Sequence, residues 1–384
     1  MTRHYDIIVV GGGLVGASLA LALGRQGRRV ALVEGQDARF DDLRTGWDPR
    51  VYAVSPANRA FLDSLSAWPD MERVGVIEAM RVRGDTHGLI EFDRHDAGSE
   101  ALAWIAENRW MLAALWRRLG EEPGVERLTG ARPAGLERSE LKAALTLDDG
   151  SVLEAPLLVG ADGANSWVRR EIGVEASVKP YGQSGVVANF ECEKHHGNIA
   201  RQWFFGDSVL AWLPMAGNRI SIVWSTFQPE RLTELDDAEL AHVVAGAGGG
   251  ELGAFTTLTS AVAFPLRLIR PDATVSRRVA LAGDAAHTVH PLAGQGVNLG
   301  FQDAATLAGL IGGAGDPGAW MLLRRYERDR REAVRTMQMA CDGLFTLFHG
   351  RDVPGLAWLR NTGLSLTNRL APVKRQFVRH AIGF

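Results

Sequence analysis

Gly11, Gly13 and Gly16 form G-x-G-x-x-G directly after the apolar run Tyr5 to Val10, with Leu14 and Val15 opening a helical pattern inside the turn. Glycines at this spacing let the backbone approach a pyrophosphate, and the free N–H groups and positive end of the next helix attract the anion. Glu34 closes the following apolar run, about 20 residues on. A carboxylate there suits the two hydroxyls of an adenosine ribose and disfavours a 2′-phosphate. The same spacing recurs at Gly248/Gly250/Gly253 and Gly313/Gly315/Gly318. One follows the helix-like stretch Ala238 to Ala245 and the other contains Pro317, so neither joins a strand to a helix, and both read as flexible turns.

A unit of this kind serves NAD or FAD, and later segments separate the two. Asp162 in GADG and Asp284, after Gly283 in GDAAH, each follow a short apolar run on a glycine-flanked turn. There a carboxylate can accept from a ligand hydroxyl, although a lone Asp in such a place commonly caps a helix or closes a turn. A plain NAD dehydrogenase needs neither. Gln295, Gly296, Val297 and Asn298 put N–H groups at a helix start, which suits the anionic N1 and C2 carbonyl region of a reduced flavin and contributes about 0.3–1 kcal/mol. His287 and His290 lie three apart, but Pro291 intervenes next in sequence and no third soft ligand is near, so turn-forming or flavin-edge roles replace a metal reading. Trp203, Trp212 and Trp224 are candidates for a pocket wall, against the commoner role of such aromatics as core.

The elements that must carry these residues follow from periodicity. Tyr5 to Val10, Arg29 to Val33, Leu157 to Val159 and Val279 to Leu281 read as buried strands, with helices after Gly13, over Arg109 to Leu119 and over Val297 to Ile311. From Ser177 to Leu268 longer alternating runs appear, including Gln202 to Phe205, and the turn Ala216 to Asn218 makes a hairpin of Val209 to Leu213 and Arg219 to Ser225. The fold class expected is α/β, a Rossmann-like dinucleotide domain with an inserted, mainly β-sheet substrate domain and a C-terminal helical segment. The division is 1–75, 105–176 and 270–330 for the first, 76–104 and 177–269 for the second, and 331–384 for the third.

With 384 residues the chain is long enough for two domains and a large core. Its two cysteines supply no disulfide framework, which points to a reducing, cytoplasmic setting. A net charge of −3 gives no global field for nucleic acid. The opening MTRHYDIIVVGGG lacks the features of a secretory signal, and Ala285 to Gln302 is too interrupted to span a membrane.

Together, Gly11-x-Gly13-x-x-Gly16, Asp162-Gly163, Gly283-Asp284 and the run HPLAGQGVNLGFQD (His290 to Asp303) resemble the class A flavoprotein monooxygenases of the p-hydroxybenzoate hydroxylase fold. The last run is similar to the signature of the ubiquinone-biosynthesis hydroxylases within that class, and the resemblance extends over nearly the whole chain. It implies non-covalent FAD with NAD(P)H as a transient co-substrate and no metal. Glu34 would then hold the adenosine ribose, Arg109 the ribityl or phosphate region, and Asp284 a ribityl or pyrophosphate-side hydroxyl. Asp162 would order the pyrophosphate region and take part in NAD(P)H handling, and Arg50 would lie near the flavin. Pro291, Gly294, Gln295 and Gly296 would surround the flavin ring; no residue is assigned as general base.

The reaction implied is hydroxylation of a polyprenylated phenol or quinol by dioxygen through a flavin C4a-hydroperoxide. The rivals are a hydroxylase of another aromatic compound, an isoprenoid reductase, and a non-catalytic prenyl-lipid binder. Residues 351–384 hold six basic residues and one acid, with an apolar stripe at Leu356, Leu359, Gly363, Leu366 and Leu370. That stripe either packs on the core or a partner, including a ubiquinone-biosynthesis complex, or docks at the inner face of a membrane.

Overall fold

The computed structural model describes residues 2–37, 39–40, 43–84, 88–290 and 296–349. Strand Ile7–Val10 is buried at every position, and its side chains alternate between two cores. Ile7 and Val9 enter one, Ile8 and Val10 the other. Burial on both faces is why the run carries no polar residue. The strand stands inside a six-stranded sheet in the order Val275–Ser276, Val279–Leu281, Leu157–Gly160, Ile7–Val10, Val30–Glu34, Val125–Thr129. All but the first pair are parallel.

Helices Leu14–Arg25, Asn108–Glu121 and Gly296–Gly312 cover one face of this sheet. The other face packs on a four-stranded sheet formed by Thr2–His4, Val152–Ala155, Ala143–Leu147 and Pro133–Arg138. The result is a three-layer α/β body whose strands come from both ends of the chain.

A seven-stranded sheet runs in the order Phe255–Pro271, Ala176–Cys192, Arg219–Thr226, Val209–Pro214, Ile199–Phe204, Ala79–Arg83, Leu89–Asp93. The hairpin expected at Ala216 to Asn218 is present, with Pro214 opposite Ile220. Helix Asp237–Ala247 packs on one face of this sheet, against Trp212, Phe190 and Ile222. The opposite face meets the small sheet Val51–Val54, Ala103–Glu107, Gly75–Ile77 through Leu213, Ala200 and Ile105. The expected divisions at 75/76 and 104/105 fall inside two of these strands, because that small sheet sews the adjoining segments together. Helix Trp320–His349 likewise runs unbroken across residue 330.

The two extra glycine clusters lie in turns, as expected, and Gly250, Gly313 and Gly315 have open space where a side chain would begin. Within them Gly248 and Gly318 are also close-packed, with would-be side chains 2.0 Å from the Trp212 ring and 1.9 Å from the Pro156 carbonyl oxygen. Residues 350–384, with the amphipathic stripe, lie outside the described residues, and among those described no helix is long and apolar enough to cross a membrane.

Asp303 joins the C-terminal elements. Fully buried on helix Gly296–Gly312, it accepts from the Gly283 N–H at 2.9 Å and contacts His287 Nε2 at 2.6 Å through one oxygen. Its other oxygen accepts from Arg330 Nε at 2.7 Å, on the long helix. Burial alone would raise this carboxyl, but His287 and then Arg330 outweigh it and hold the group below its ordinary value. Asp303→Ala should therefore cost about 3–5 kcal/mol in urea unfolding, because Arg330 loses its counter-charge and His287 its buried hydrogen-bond partner. The depressed carboxyl contributes stability that is complete above the unfolded value of about 4 and lost as pH falls toward the lower folded value. The gap between wild type and Asp303→Ala should accordingly narrow in unfolding curves taken at decreasing pH.

Candidate active site

The glycine turn, Glu34, Asp162 and Asp284 all lie at the carboxyl ends of four strands in the parallel sheet, the crevice where open α/β sheets bind ligands. The three motif glycines do different work. Gly11 has φ +103°, and a side chain on it would begin 2.4 Å from the Ala161 carbonyl oxygen; one on Gly16 would begin 1.9 Å from the Gly11 carbonyl oxygen. These two close the turn. Gly13 has nothing within 4 Å of that position, so its backbone faces open space at the start of helix Leu14–Arg25.

Glu34 accepts from the Gly12 N–H at 2.7 Å and the Gln36 N–H at 2.9 Å, which fixes its carboxylate beside the turn. A carboxylate offers about four acceptor positions, so capacity for a diol remains. Trp116 donates its indole N–H to the Gly12 carbonyl at 2.9 Å. Trp116 lies within the helix expected over Arg109 to Leu119, and nothing in its spacing announced that bond.

Asp162 and Asp284 separate sharply. Both oxygens of Asp162 are engaged locally, by the Ser166 hydroxyl at 2.5 Å and the Val168 N–H at 3.0 Å, so the carboxylate supports the start of helix Trp167–Glu171. Arg169 on that helix donates to the Ala164 and Ala285 carbonyls, both at 2.8 Å, and locks the Asp162 turn to the Asp284 turn. Asp284 is open to solvent yet walled by protein. Crowding raises its carboxyl, with His287, Arg50 and Arg267 opposing and Asp303 adding to the rise. Tyr52 is pushed up to about 12 by burial, with Arg50 opposing and Asp284 and Asp48 adding. Asp284, Arg50 and Tyr52 thus stand within electrostatic reach of one another.

Arg50 and Arg109, 59 positions apart in sequence, share one clamp. Asp48 accepts from the Arg50 N–H at 2.9 Å and the Arg109 N–H at 3.1 Å, while the Asn108 N–H reaches the Arg50 carbonyl at 2.9 Å. The Asp48 N–H in turn donates to Glu107 at 2.7 Å, and Arg73 grips the same carboxylate through Nε at 2.9 Å and Nη2 at 3.0 Å. Asp48, Glu107 and Arg73 were not legible as site residues, because their pairing depends on contacts between distant segments.

Several expected residues have structural partners. Asn298 spends its whole side chain on a clamp: its oxygen accepts from the Ser55 N–H at 3.0 Å and Asn58 at 2.8 Å, and its amide donates to the Ala53 carbonyl at 2.8 Å. Its backbone carbonyl accepts from Asn58 as well, at 3.2 Å. Gly296 has nothing within 4 Å of a would-be side chain, and Val297 packs on the core beneath. Pro291, Gly294 and Gln295 lie outside the described residues. His287 pairs with Asp303, and His290 is buried against the Tyr181 ring at 4.7 Å.

The three tryptophans proposed for a pocket wall all pack in the core on the far face of the seven-stranded sheet, with Trp203 and Trp212 in contact at 4.7 Å. The period-two alternation of the strands sends them away from the nucleotide side.

A family model described as FAD binding domain matches residues 122–340. A ubiquinone hydroxylase, UbiL, of Rhodospirillum rubrum is 35% identical over 390 residues, covering 98% of this chain and 89% of that protein. A 3-demethoxyubiquinol 3-hydroxylase of Escherichia coli is 34% identical over 388 residues, covering 98% of each. Among solved structures, pqsL of Pseudomonas aeruginosa, described as a probable FAD-dependent monooxygenase, superposes with a TM-score of 0.78 over 94% of this chain and 99% of that one, at 23% identity. Identity of 34–35% over nearly the whole chain shows that it is a member of the FAD-dependent monooxygenase family that contains the ubiquinone-biosynthesis hydroxylases.

Proposed function

We propose that this protein hydroxylates a lipophilic, polyprenylated phenol or quinol on the route to ubiquinone, using dioxygen and taking its reducing equivalents from NAD(P)H. The observation that carries the reading is the convergence of the open Gly13 backbone, Glu34 and the solvent-facing Asp284 on adjacent ends of one parallel sheet. These groups fit a flavin dinucleotide: N–H donors for its pyrophosphate and carboxylates for its ribose and ribityl hydroxyls. The names of the two relatives above support the substrate class. Bound FAD would supply hydride acceptance and oxygen activation.

The protein's part is to bind, orient and exclude water. In this reading Glu34 holds the adenosine ribose, Asp284 accepts from a ribityl or pyrophosphate-side hydroxyl, and Arg50 and Arg109 bring positive charge to the phosphate and flavin side from their shared Asp48 clamp. The start of helix Gly296–Gly312, where a side chain on Gly296 would meet nothing, would offer its positive end to the anionic edge of the reduced ring. Asp162 acts one step back, setting the turn that Arg169 ties to Asp284. NAD(P)H would visit transiently, since the chain has one complete dinucleotide unit. We place the protein in the cytoplasm, with peripheral contact to the membrane that stores such a substrate.

Purified protein should be yellow and should release FAD on denaturation; a colourless product after reconstitution with excess FAD overturns the reading. Gly13→Ala should leave the melting temperature of the apoprotein within about 1 °C while weakening FAD binding at least tenfold, as befits a backbone that meets only the ligand. Gly16→Ala should instead lower apoprotein stability by several kcal/mol, on the order of other overpacked sites.

Asp284→Ala should raise the FAD dissociation constant more than Asp162→Ala, whose main effect should be on thermal stability. Because crowding raises the Asp284 carboxyl, its charge works against folding above its ordinary value. Asp284→Asn should therefore raise the apoprotein melting temperature at pH 7 by on the order of 1–2 °C, an advantage that fades as pH falls toward 4. Differential scanning fluorimetry of flavin-free protein measures it.

A further inference from the structure

Across the seven-stranded sheet the register aligns Gln202, Ala211, Val223, Val187 and Val262 in one row over five adjacent strands. Directly opposed residues in a ladder share a face. The neighbouring row on this face contains Leu213, Ser221 and Asn189, and Asn189 donates its side-chain amide to the Asp48 carbonyl at 2.8 Å. The row therefore looks toward the clamp that holds Arg50 and Arg109.

Its aliphatic members lack the packing seen on the other side. Trp212, Ile222 and Ala188, their neighbours along the strands, fill a hydrophobic core, whereas Ala211, Val223 and Val262 join no hydrophobic cluster among the described residues, and Val187 is buried outside those clusters. Nearby, the Asn189 side-chain oxygen and the Ser221 hydroxyl are buried without a hydrogen-bond partner, which marks this face as one built to meet something more than protein.

The row ends at the outermost strand, where Val262 is 51% exposed. Beside it Phe264, opposite Gly185, lays its ring 2.9 Å from where a Gly185 side chain would begin. Phe227 is exposed as well, and no charged residue occurs between Phe255 and Leu266. Pro265 and the register shifts along this strand blunt it as a pairing edge, yet Val262 and Phe264 still present exposed apolar side chains on its face.

We propose that this row is the track for the apolar tail of the substrate, carrying it from the cleft over Ala211, Val223 and Val187 and out past Val262 and Phe264. The inference rests on the hydroxylase reading above and deepens it by assigning the tail a floor. From Ala211 to Val262 is three strand spacings, about 14 Å. Tails that lie within this span gain affinity about three- to fourfold per buried methylene, and longer ones gain little more.

The test compares kcat/KM for a long-tailed and a short-tailed phenol substrate with the flavin-loaded enzyme. In Val262→Asp/Phe264→Asp the long-to-short ratio should fall at least tenfold, and Val262→Leu/Phe264→Leu should restore it. Both positions are exposed, and flavin content reports intact folding. A ratio unchanged by the Asp pair overturns the track. So does a wild-type dimer that the Asp pair converts to monomer with the ratio intact, which would give this strand to a second copy of the chain. Wild-type protein that turns over neither substrate overturns the hydroxylase reading and takes the tail with it.

Discussion

The buried charge at Asp303 is the constraint around which the cofactor side is arranged. A carboxylate without solvent access is tolerable only when fully matched, and here Arg330, His287 and the Gly283 N–H divide its two oxygens among them. Gly283 and His287 share the Asp284 turn, and Arg330 lies on the long C-terminal helix. The match therefore sets the long C-terminal helix, the Gly296–Gly312 helix and the Asp284 turn in one register. Tyr326 reinforces it by donating to the Leu281 carbonyl at 2.9 Å, one turn earlier on the same long helix. A hydrophobic triad of similar shape would pack as well but would not define which turn meets which helix.

Held by that register, Asp284 is reached by solvent while the surrounding protein raises its carboxyl, with His287, Arg50 and Arg267 opposing. Asp162 shows the opposite economy, with both oxygens satisfied by its own loop. Two similar-looking glycine-flanked aspartates thus have different duties, one toward the ligand and one toward the backbone that presents the first. Asn298 divides in the same way within one residue, its side chain clamping Ser55 and Asn58 while its backbone starts a helix.

The seven-stranded sheet separates its roles by alternation. One set of side chains, with Trp203, Trp212 and Phe190, packs under helix Asp237–Ala247 and stabilises the sheet. The other set mixes Ala211, Val223 and Val187 with Gln202, Ser221 and Asn189, and its Leu213 meets the small sheet that joins the two bodies.

What the sequence determined by itself was everything carried by short-range pattern. The unbroken apolar run before Gly11, the glycine spacing, the acid at Glu34 and the long run from His290 to Asp303 are local signals, and they specified the α/β class, the dinucleotide turn and the family. Tertiary structure alone decided which polar groups are spent. Asp48 joins Arg50 to Arg109, Asp303 reaches Arg330, and Asn298 reaches Ser55 243 positions away. It also decided which face of each strand looks at the cofactor side, and so moved the tryptophans from a pocket wall to the core. Periodicity says that a strand has two faces, but only the packing of a helix against one of them says which is inside; hydrogen bonds between distant segments leave no spacing to read.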